Sequence, residues 1–306
     1  MASRSYRLRG DETVPKGIAR IARGRIDHAI EELEGKTDSS SEEAVHEARK
    51  DMKKLRALVR LARDEIGKDV YRRENACFRD AGRELAGVRD ADVMLATLAD
   101  LAERYPGALG PEATGPLRQA LEAHKIRTAA GARGPAAAQV VDILTTARGR
   151  VGRWPLEQDS FHAVADGLRR VYRRGRRGFR AARTEPTTEN LHEWRKGVKD
   201  LWYHLTILGD TWRPVMEALA DEAHAASEHL GDDHDLAVLL TWAEEHAPES
   251  AAALAPLVER RRAELQADAF AIGARLYAEK PRAFVRRLQR WWDAPESAWR
   301  PEAVQD

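Results

Sequence analysis

The hydrophobic and polar positions of residues 46–66 repeat with the spacing of an α-helix. Apolar side chains recur at alternating steps of four and three residues and form one seam. Basic side chains follow the same steps one residue later, which places them about 100° around the helix from the seam. The apolar set is Ala48, Met52, Leu55, Val59, Ala62 and Ile66, and the basic set is Arg49, Lys53, Arg56, Arg60 and Arg63. The pattern predicts a helix whose positive side adjoins its buried side.

A second segment, residues 192–208, repeats this arrangement. When His192 is aligned with His46, the two segments share a histidine, a glutamate, an arginine and two lysines at equivalent positions. Each segment follows hydroxyl and acidic residues that suit a helix start. A second matching stretch begins at Leu85 and at Leu230, at a similar distance downstream. We infer that one helical unit was duplicated, and we predict halves at residues 12–150 and 156–294 with a linker at about 151–155.

Helical periodicity covers most of the chain, and no run alternates with the period-2 pattern of a strand. The sequence therefore predicts an all-α fold. Residues 105–116, which are rich in Gly and Pro, are expected to form a linker or long turn. The helices are expected at about 15–33, 41–66, 69–85, 90–104, 117–132, 135–149, 160–183, 188–208, 214–230, 235–245, 250–279 and from 281 onward.

Composition narrows the class of protein. The chain of 306 residues is 33% charged, has a formal net charge of +1 and contains no apolar run long enough to cross a membrane. Its single cysteine, Cys77, cannot form an intrachain disulfide, and its first residues lack the apolar core of a secretory signal. These features predict a cytoplasmic protein without a membrane partner.

The charges are strongly segregated along the chain. Eight of the fifteen residues from Arg169 to Arg183 are arginine, whereas residues 214–259 contain eleven acids and no lysine or arginine. In the repeated segments, a histidine, an arginine and lysines at helical spacing would repel one another. An anion that accompanies the working protein explains this repulsion, because guanidinium and ammonium groups bind phosphate oxygens. The alternative is that acids from neighbouring helices neutralise these cations in structural ion pairs.

A second candidate for chemistry is the acid and histidine cluster at residues 224–235. Carboxylate and imidazole are suitable ligands for a divalent metal, but the spacing matches no metal-binding template, and Asp235 also suits a helix start. The sequence contains no Gly-rich phosphate loop and no nucleophile elbow. We predict no catalytic residue, no metal site and no cofactor.

The paired segments resemble the CHAD domain family, an α-helical domain named for its histidines. The resemblance rests on the repeated HxxRKxxK(K)LR pattern and on the stretch L-(G/A)-x-x-x-D-x-x-V that follows each copy, and it covers roughly residues 12–290. It implies two helical-bundle halves related by pseudo-two-fold symmetry. It also implies binding of inorganic polyphosphate and, in some members, association with polyphosphate granules. The second copy departs from the pattern, with Trp202 at a position that is usually basic.

The resulting hypothesis is non-catalytic binding of polyphosphate through basic helix faces of both halves. The residues expected to contact phosphate are His46, Arg49, Lys50, Lys53, Lys54, Arg56, His192, Arg195, Lys196 and Lys199, with Arg20, Arg23, Arg169 and Arg173 as second candidates. Three alternatives stay open. These are a metal-assisted phosphohydrolase that uses the cluster at 224–235, a nucleic-acid binder, and a scaffold whose basic and acidic faces pair between copies. Nucleic acid is the less favoured ligand because aromatic residues do not alternate with the basic rows.

Overall fold

The computed structural model describes residues 5–85, 90–129 and 135–294. In these ranges the chain forms twelve α-helices, a short 3-10 turn and no strand, which confirms the all-α prediction. The helices are α1 (Val14–Leu33), α2 (Ser41–Leu61), α3 (Arg63–Ile66), α4 (Lys68–Glu84), α5 (Asp90–Arg104), α6 (Pro111–Ala129), α7 (Pro135–Val151), α8 (His162–Thr184), α9 (Thr188–Ile207), α10 (Arg213–His246), α11 (Pro248–Leu276) and α12 (Pro281–Trp292).

The helices that carry the repeated segments begin at side-chain caps. Before α2, the Ser40 hydroxyl accepts a hydrogen bond from the Glu43 amide, and the Glu43 carboxylate accepts one from the Ser40 amide. Before α9, the Thr187 hydroxyl accepts a hydrogen bond from the Asn190 amide. These bonds satisfy amides that lack partners in the first turn of a helix. The helix starts predicted from the hydroxyl and acidic residues are therefore confirmed.

The predicted break between residues 230 and 235 is wrong, because α10 is one continuous helix of 34 residues. Asp235, which suited a helix start, lies inside this helix, and the neighbouring Asp233 is buried and forms an ion pair with Arg262 of α11 at 2.9 Å. Gln266 donates a further hydrogen bond to the same carboxylate at 2.7 Å. A buried charge with such partners is tolerated inside a helix, so this acid connects two helices instead of capping one. The matching stretch at 86–89 lies outside the described residues.

The predicted linker at residues 105–116 is shorter than expected, because α6 begins at Pro111. Proline is favoured in the first turn of a helix, where its missing N–H costs nothing. Pro116 lies within the first two turns of the same helix. The Gly and Pro content of this stretch therefore marks a turn and a helix start together.

Two hydrophobic cores hold the helices. The main core includes buried side chains of α1, α2, α4, α7, α8, α9 and the first part of α10. The second core joins α5 and α6 to the later part of α10 and to α11. Each core therefore combines residues that precede 150 with residues that follow 156. The division of the chain into two halves by duplication stays a prediction.

Glycines allow the central helices to approach closely. A Cβ atom added at Gly197 of α9 would lie 2.7 Å from the Cα atom of Gly175 on α8, and one added at Gly178 would lie 2.8 Å from the Cα atom of Trp194. A Cβ atom at Gly167 would lie only 2.0 Å from the carbonyl oxygen of Leu61 at the end of α2. Contacts this short are possible only without a side chain, so these glycines bring α2, α8 and α9 together.

Candidate functional site

Helices α2, α9 and α10 surround a cleft with a volume of about 770 Å³, which we call the central cleft. Part of α5 completes its wall. The charged and histidine residues that line the cleft are His46, Arg49, Lys50, Lys53, Arg195, Lys199, His224, Glu228, Asp232, His234 and Asp235. Six residues predicted to contact phosphate, from both repeated segments, thus share one cavity.

The α2 wall carries four of these residues because positions three, four and seven apart lie on one side of a helix. Burial and, to a smaller extent, the nearby cations Lys199, Arg49, Arg195 and Lys50 together lower the pKa of Lys53 to about 8. The Lys53 side chain is nevertheless exposed. It is therefore a partly dehydrated ammonium group that a solute in the cleft can reach, surrounded by like charge.

The α9 wall places Arg195 and Lys199 opposite these cations. A Cβ atom at Gly231 of α10 would lie 2.9 Å from Nη2 of Arg195, so the glycine leaves room for the guanidinium group against α10. The glycine of the second L-(G/A) motif therefore accommodates a cleft arginine instead of ending a helix. The ammonium of Lys199 lies 5.9 Å from the centroid of the Trp202 ring, which also lines the cleft.

Some of the basic residues are neutralised within the protein, as the ion-pair alternative expected. Lys50 pairs with Glu47 at 2.7 Å, and Lys196 pairs with Glu193 at 2.5 Å at the equivalent positions of the second segment. Both are surface pairs between residues three apart, which contribute little stability. They leave the ammonium groups accessible to a competing anion.

Arg49 and Lys53 differ from these residues. Within the described parts of the chain, neither forms an ion pair with a carboxylate, and the Nη1 atom of Arg49 is buried without a hydrogen-bond acceptor. A buried guanidinium nitrogen without an acceptor is unfavourable by about 1–3 kcal/mol or more. This pair is the part of the site that an anion would stabilise most.

One inter-helix ion-pair network fixes the relative position of the basic walls. The buried carboxylate of Asp200 on α9 pairs with Arg60 of α2 at 2.7 Å and with Arg174 of α8 at 3.0 Å. A buried carboxylate needs such partners. Arg60 thus belongs to the basic row of α2, but its ion pair joins α2 to α9. The residues nearer the start of that row face the cleft instead.

The α10 wall is acidic and rich in histidine. Burial raises the pKa of Asp232, and the neighbouring carboxylates of Glu228 and Asp235 raise it further. Among the described residues, no group of three or more histidines, cysteines and acids is arranged to hold a metal ion. The acid cluster seen in the sequence therefore forms the wall that faces the cations, with no geometry for a metal in the described ranges.

Three ring pairs shape the remaining wall. His192 lies beside His234, with ring centroids 4.5 Å apart, and burial lowers the pKa of both imidazoles. His192 therefore contacts a residue of the lining rather than lining the cleft itself. Trp202 stacks on His224 on one side, with centroids 4.0 Å apart, and on Tyr203, with centroids 4.7 Å apart.

On α9, Lys196 lies outside the lining of the central cleft, and on α2 so do Lys54 and Arg56. Lys54 lies 4.0 Å from buried Asp51 and above the Tyr6 ring. The Arg56 Nε atom donates a hydrogen bond to Asn75, and burial lowers the pKa of its guanidinium to about 10. These side chains project from other sides of α2.

The two candidates on α1 also lie elsewhere. Arg20 pairs with Glu12 and donates hydrogen bonds to the carbonyl oxygens of Ser5 and Arg7, so it holds the segment before α1. Arg23 is exposed and lies against Gly152 at the end of α7. Neither lines the central cleft, and Arg20 has a structural role.

Arg169 and Arg173 line a different cavity, with a volume of about 700 Å³, which we call the arginine cleft. It lies between α8 and the start of α12 and shares no lining residue with the central cleft. In the sequence these arginines resemble the basic rows of the repeated segments, because charge pattern alone does not show which cavity a helix face adjoins.

Sequence analysis missed several residues of the central cleft, including Trp202 and Tyr203 of α9 and Met94 of α5. Their apolar character gave no signal for a charged site. The acid-rich run at 224–235 was a visible signal, but its position opposite the basic helices depends on how α10 packs against α9 and α5.

The fold and the cleft define an all-α protein with a charged cleft between two similar helices. The chain belongs to the CHAD domain family, whose model matches residues 20–244. Comparison with curated proteins gave no match.

Two solved structures have the same fold. The CHAD domain from the plant Ricinus communis is 20% identical, with a TM-score of 0.64, over 91% of this chain and 96% of that chain. PptA from Streptomyces chartreusis is 13% identical, with a TM-score of 0.59, over 88% of this chain and 100% of that chain. Among the described residues, no helix is long and apolar enough to cross a membrane.

Proposed function

We propose that the protein binds inorganic polyphosphate, without catalysis, in the central cleft. The observation that carries this proposal is the meeting of Arg49 and Lys53 with Arg195 and Lys199 in one cavity. Family membership supports it, because CHAD domains are linked to polyphosphate or triphosphate binding and are generally binding proteins.

The chemistry of the cleft suits a polymer of phosphate. Arginine forms paired hydrogen bonds with phosphate oxygens, and lysine supplies a compact positive charge. Bound phosphate would supply an acceptor to the Nη1 atom of Arg49 and relieve the repulsion around Lys53. Longer chains should bind more tightly, because each additional unit adds a contact without a new association step.

The central test is charge reversal of Arg49 and Lys53 together, measured by titration with polyphosphate chains of increasing length at two salt concentrations. We expect affinity to fall at least about tenfold. The dependence of log affinity on log salt should also become less steep by about 1.4, since each of the two lost phosphate contacts contributes about 0.7 on a single strand. Circular dichroism establishes that the variant is folded.

The matched control reverses Arg72 and Arg83, two exposed arginines of α4 outside both clefts. This control changes the net charge by the same amount, so it reports the non-specific effect of charge. Equal affinity of the folded Arg49→Glu, Lys53→Glu variant and this control would contradict the proposed site.

The alternative function, metal-assisted hydrolysis of a phosphate polymer, would use the carboxylates of Glu228, Asp232 and Asp235 across the cleft from the cations, although no group among the described residues is arranged to hold a metal ion. This function predicts release of phosphate from polyphosphate when Mg²⁺ or Mn²⁺ is added. It also predicts loss of that release in Asp232→Ala and Asp235→Ala. Binding without release in the presence of either metal would favour the non-catalytic function.

Nucleic acid is an alternative ligand of the central cleft, and competition with polyphosphate tests it. The two aromatic residues of the cleft wall stack with protein rings, since Trp202 stacks on both His224 and Tyr203. Binding of single strands relies on bases stacking on exposed aromatic faces. We therefore expect single-stranded RNA to compete less well than polyphosphate at equal phosphate concentration.

A further inference from the structure

The arginine cleft is a concentration of unbalanced charge. Along α8 it is lined by Arg169, Arg173, Arg176, Arg177 and Arg180. These positions lie on one side of the helix over about 16 Å, at spacings where like charges destabilise a helix. The facing wall adds Lys280 and Arg282, so charges on both walls have the same sign.

The neighbouring side of α8 provides an internal comparison. There, Arg170 pairs with Asp64 at 2.7 Å and Arg174 pairs with Asp200 at 3.0 Å. On this side of α8, the two arginines thus each have a carboxylate from another helix as a partner. Within the described residues, Arg173, Arg177 and Arg180 form no ion pair, although they belong to the same helix.

The acids nearest the arginine cleft do not balance it. Asp166 neutralises Arg169 alone, at 2.9 Å. Glu279 adjoins Lys280 in sequence, but its carboxylate pairs with Arg287 at 2.6 Å. The acidic side chain next to this wall is therefore engaged by an arginine that does not line the cleft.

The facing wall is held in place by backbone contacts. The Tyr172 hydroxyl donates hydrogen bonds to the carbonyl oxygens of Leu276 and Glu279, and the Arg176 Nε atom donates one to the carbonyl oxygen of Tyr277. A Cβ atom at Gly175 would lie 2.2 Å from the Tyr277 hydroxyl oxygen, so the glycine permits this approach. The cleft is thus a packed feature of the fold, with its two basic walls fixed relative to each other.

We propose that the arginine cleft is a second binding site for phosphate polymer, separate from the central cleft; the identity of the ligand rests on the function proposed above. Five arginines in a row suit a linear anion with charge at regular intervals, because guanidinium groups bind phosphate in a paired geometry. The positive end of α12, which begins at the wall at Pro281, adds to the attraction. Among the described residues, the lining includes no aromatic side chain on which a base could stack, which favours phosphate polymer over nucleic acid.

Tripolyphosphate is the probe that separates the two sites, because it is short enough to occupy each cleft independently. Isothermal titration of the full chain should show two binding sites per chain. The Arg173→Glu, Arg177→Glu variant should retain only the central cleft, and the Arg49→Glu, Lys53→Glu variant should retain only the arginine cleft. In each variant, the affinity of the altered cleft should fall at least about tenfold. Combining both pairs should abolish binding, while the Arg72→Glu, Arg83→Glu control keeps both sites.

The outcomes distinguish this inference from the proposed function. One site that is lost with Arg49 and Lys53 but unchanged by the Arg173 and Arg177 pair would overturn the arginine cleft and preserve the central one. One site that is lost with Arg173 and Arg177 but unchanged by the Arg49 and Lys53 pair would support the arginine cleft and overturn the central one. Absence of binding to the unmodified protein would overturn both.

Two further arms address folding and ligand class. Arg173 and Arg177 are exposed, so replacing them with glutamate should not unfold the chain. If the glutamate pair does disturb folding, the milder Arg173→Ala, Arg177→Ala pair should still weaken binding at the same site. With the Arg49→Glu, Lys53→Glu variant, longer polyphosphate should bind more tightly than single-stranded RNA at equal phosphate concentration. Tighter binding of RNA would overturn phosphate polymer as the ligand of this cleft.

Discussion

Polyphosphate affinity should fall as pH rises through the range in which Lys53 loses its proton. The pKa of this lysine is lowered to about 8 by burial and by four neighbouring cations, so the free site is partly uncharged just above neutral pH. A bound anion favours the charged form and raises the pKa again. Binding should therefore be accompanied by proton uptake, with affinity highest below pH 8 and decreasing above it.

The size of the effect follows from the titration of one group. With a pKa of about 8, Lys53 is about 90% protonated at pH 7 and about 10% protonated at pH 9. If binding requires the protonated form, the dissociation constant should increase about tenfold between these values. At pH 8 about half a proton should be taken up for each central cleft that is filled.

The assay is isothermal titration at constant ionic strength from pH 7 to pH 9. Measurement in buffers of different ionisation enthalpy counts the protons taken up. To isolate the central cleft, the titrations use the Arg173→Glu, Arg177→Glu background. The imidazoles of His192 and His234 contribute little in this range, because burial lowers their pKa values below the ordinary value.

Lys53→Arg is the matched variant, since arginine keeps its charge throughout this range. Its affinity should be nearly independent of pH between 7 and 9. A flat profile in the protein with Lys53, or an equal decrease in the Lys53→Arg variant, would refute the assignment of the proton to this lysine.

Two further predictions concern the acidic wall and the close helix packing. Asp232→Asn removes a negative charge that faces the basic walls, so polyphosphate affinity should increase about two- to fivefold in the same titration; a decrease would show that this wall helps to hold the ligand. Gly167→Ala places a methyl group against the Leu61 carbonyl oxygen and should lower the free energy of unfolding by about 2–3 kcal/mol, measured by urea denaturation. Gly149→Ala, at a helical position with open space, should instead be neutral or stabilising by up to about 1 kcal/mol, and equal losses for both would contradict the packing argument.

Local patterns predicted the helices well because the signals act within a few residues. The cap at Ser40 and the apolar seam of α2 depend on contacts between neighbouring turns, and both are visible in the sequence. The prediction failed at residues 230–235, where Asp235 suited a helix start but the helix continues through it and buries the neighbouring Asp233. Its actual partners, Arg262 and Gln266, are distant in sequence, so no local pattern could reveal that this acid is buried within a helix.

The candidate site was predicted in part. Arg49 and Lys53 of α2 and Arg195 of α9 were expected to act together, and the structure places them in one cleft. The sequence did not separate them from Arg20, which holds the first segment of the chain, or from Arg173, which lines another cavity. Each of these residues belongs to a similar basic row, and a row shows only that positive charge lies on one side of its helix.

The sequence by itself determined the helices, the repeated basic segments and the side of each helix on which the charges lie, because these depend on spacing along one chain. Tertiary packing decided which charges were neutralised. Asp200 reaches Arg60 and Arg174 across three helices and leaves Arg49 and Lys53 facing the cleft. Since the energy of a charge depends on which groups lie within a few ångströms of it, arginines with a structural partner and arginines that face the cleft are distinguished only once the chain is folded.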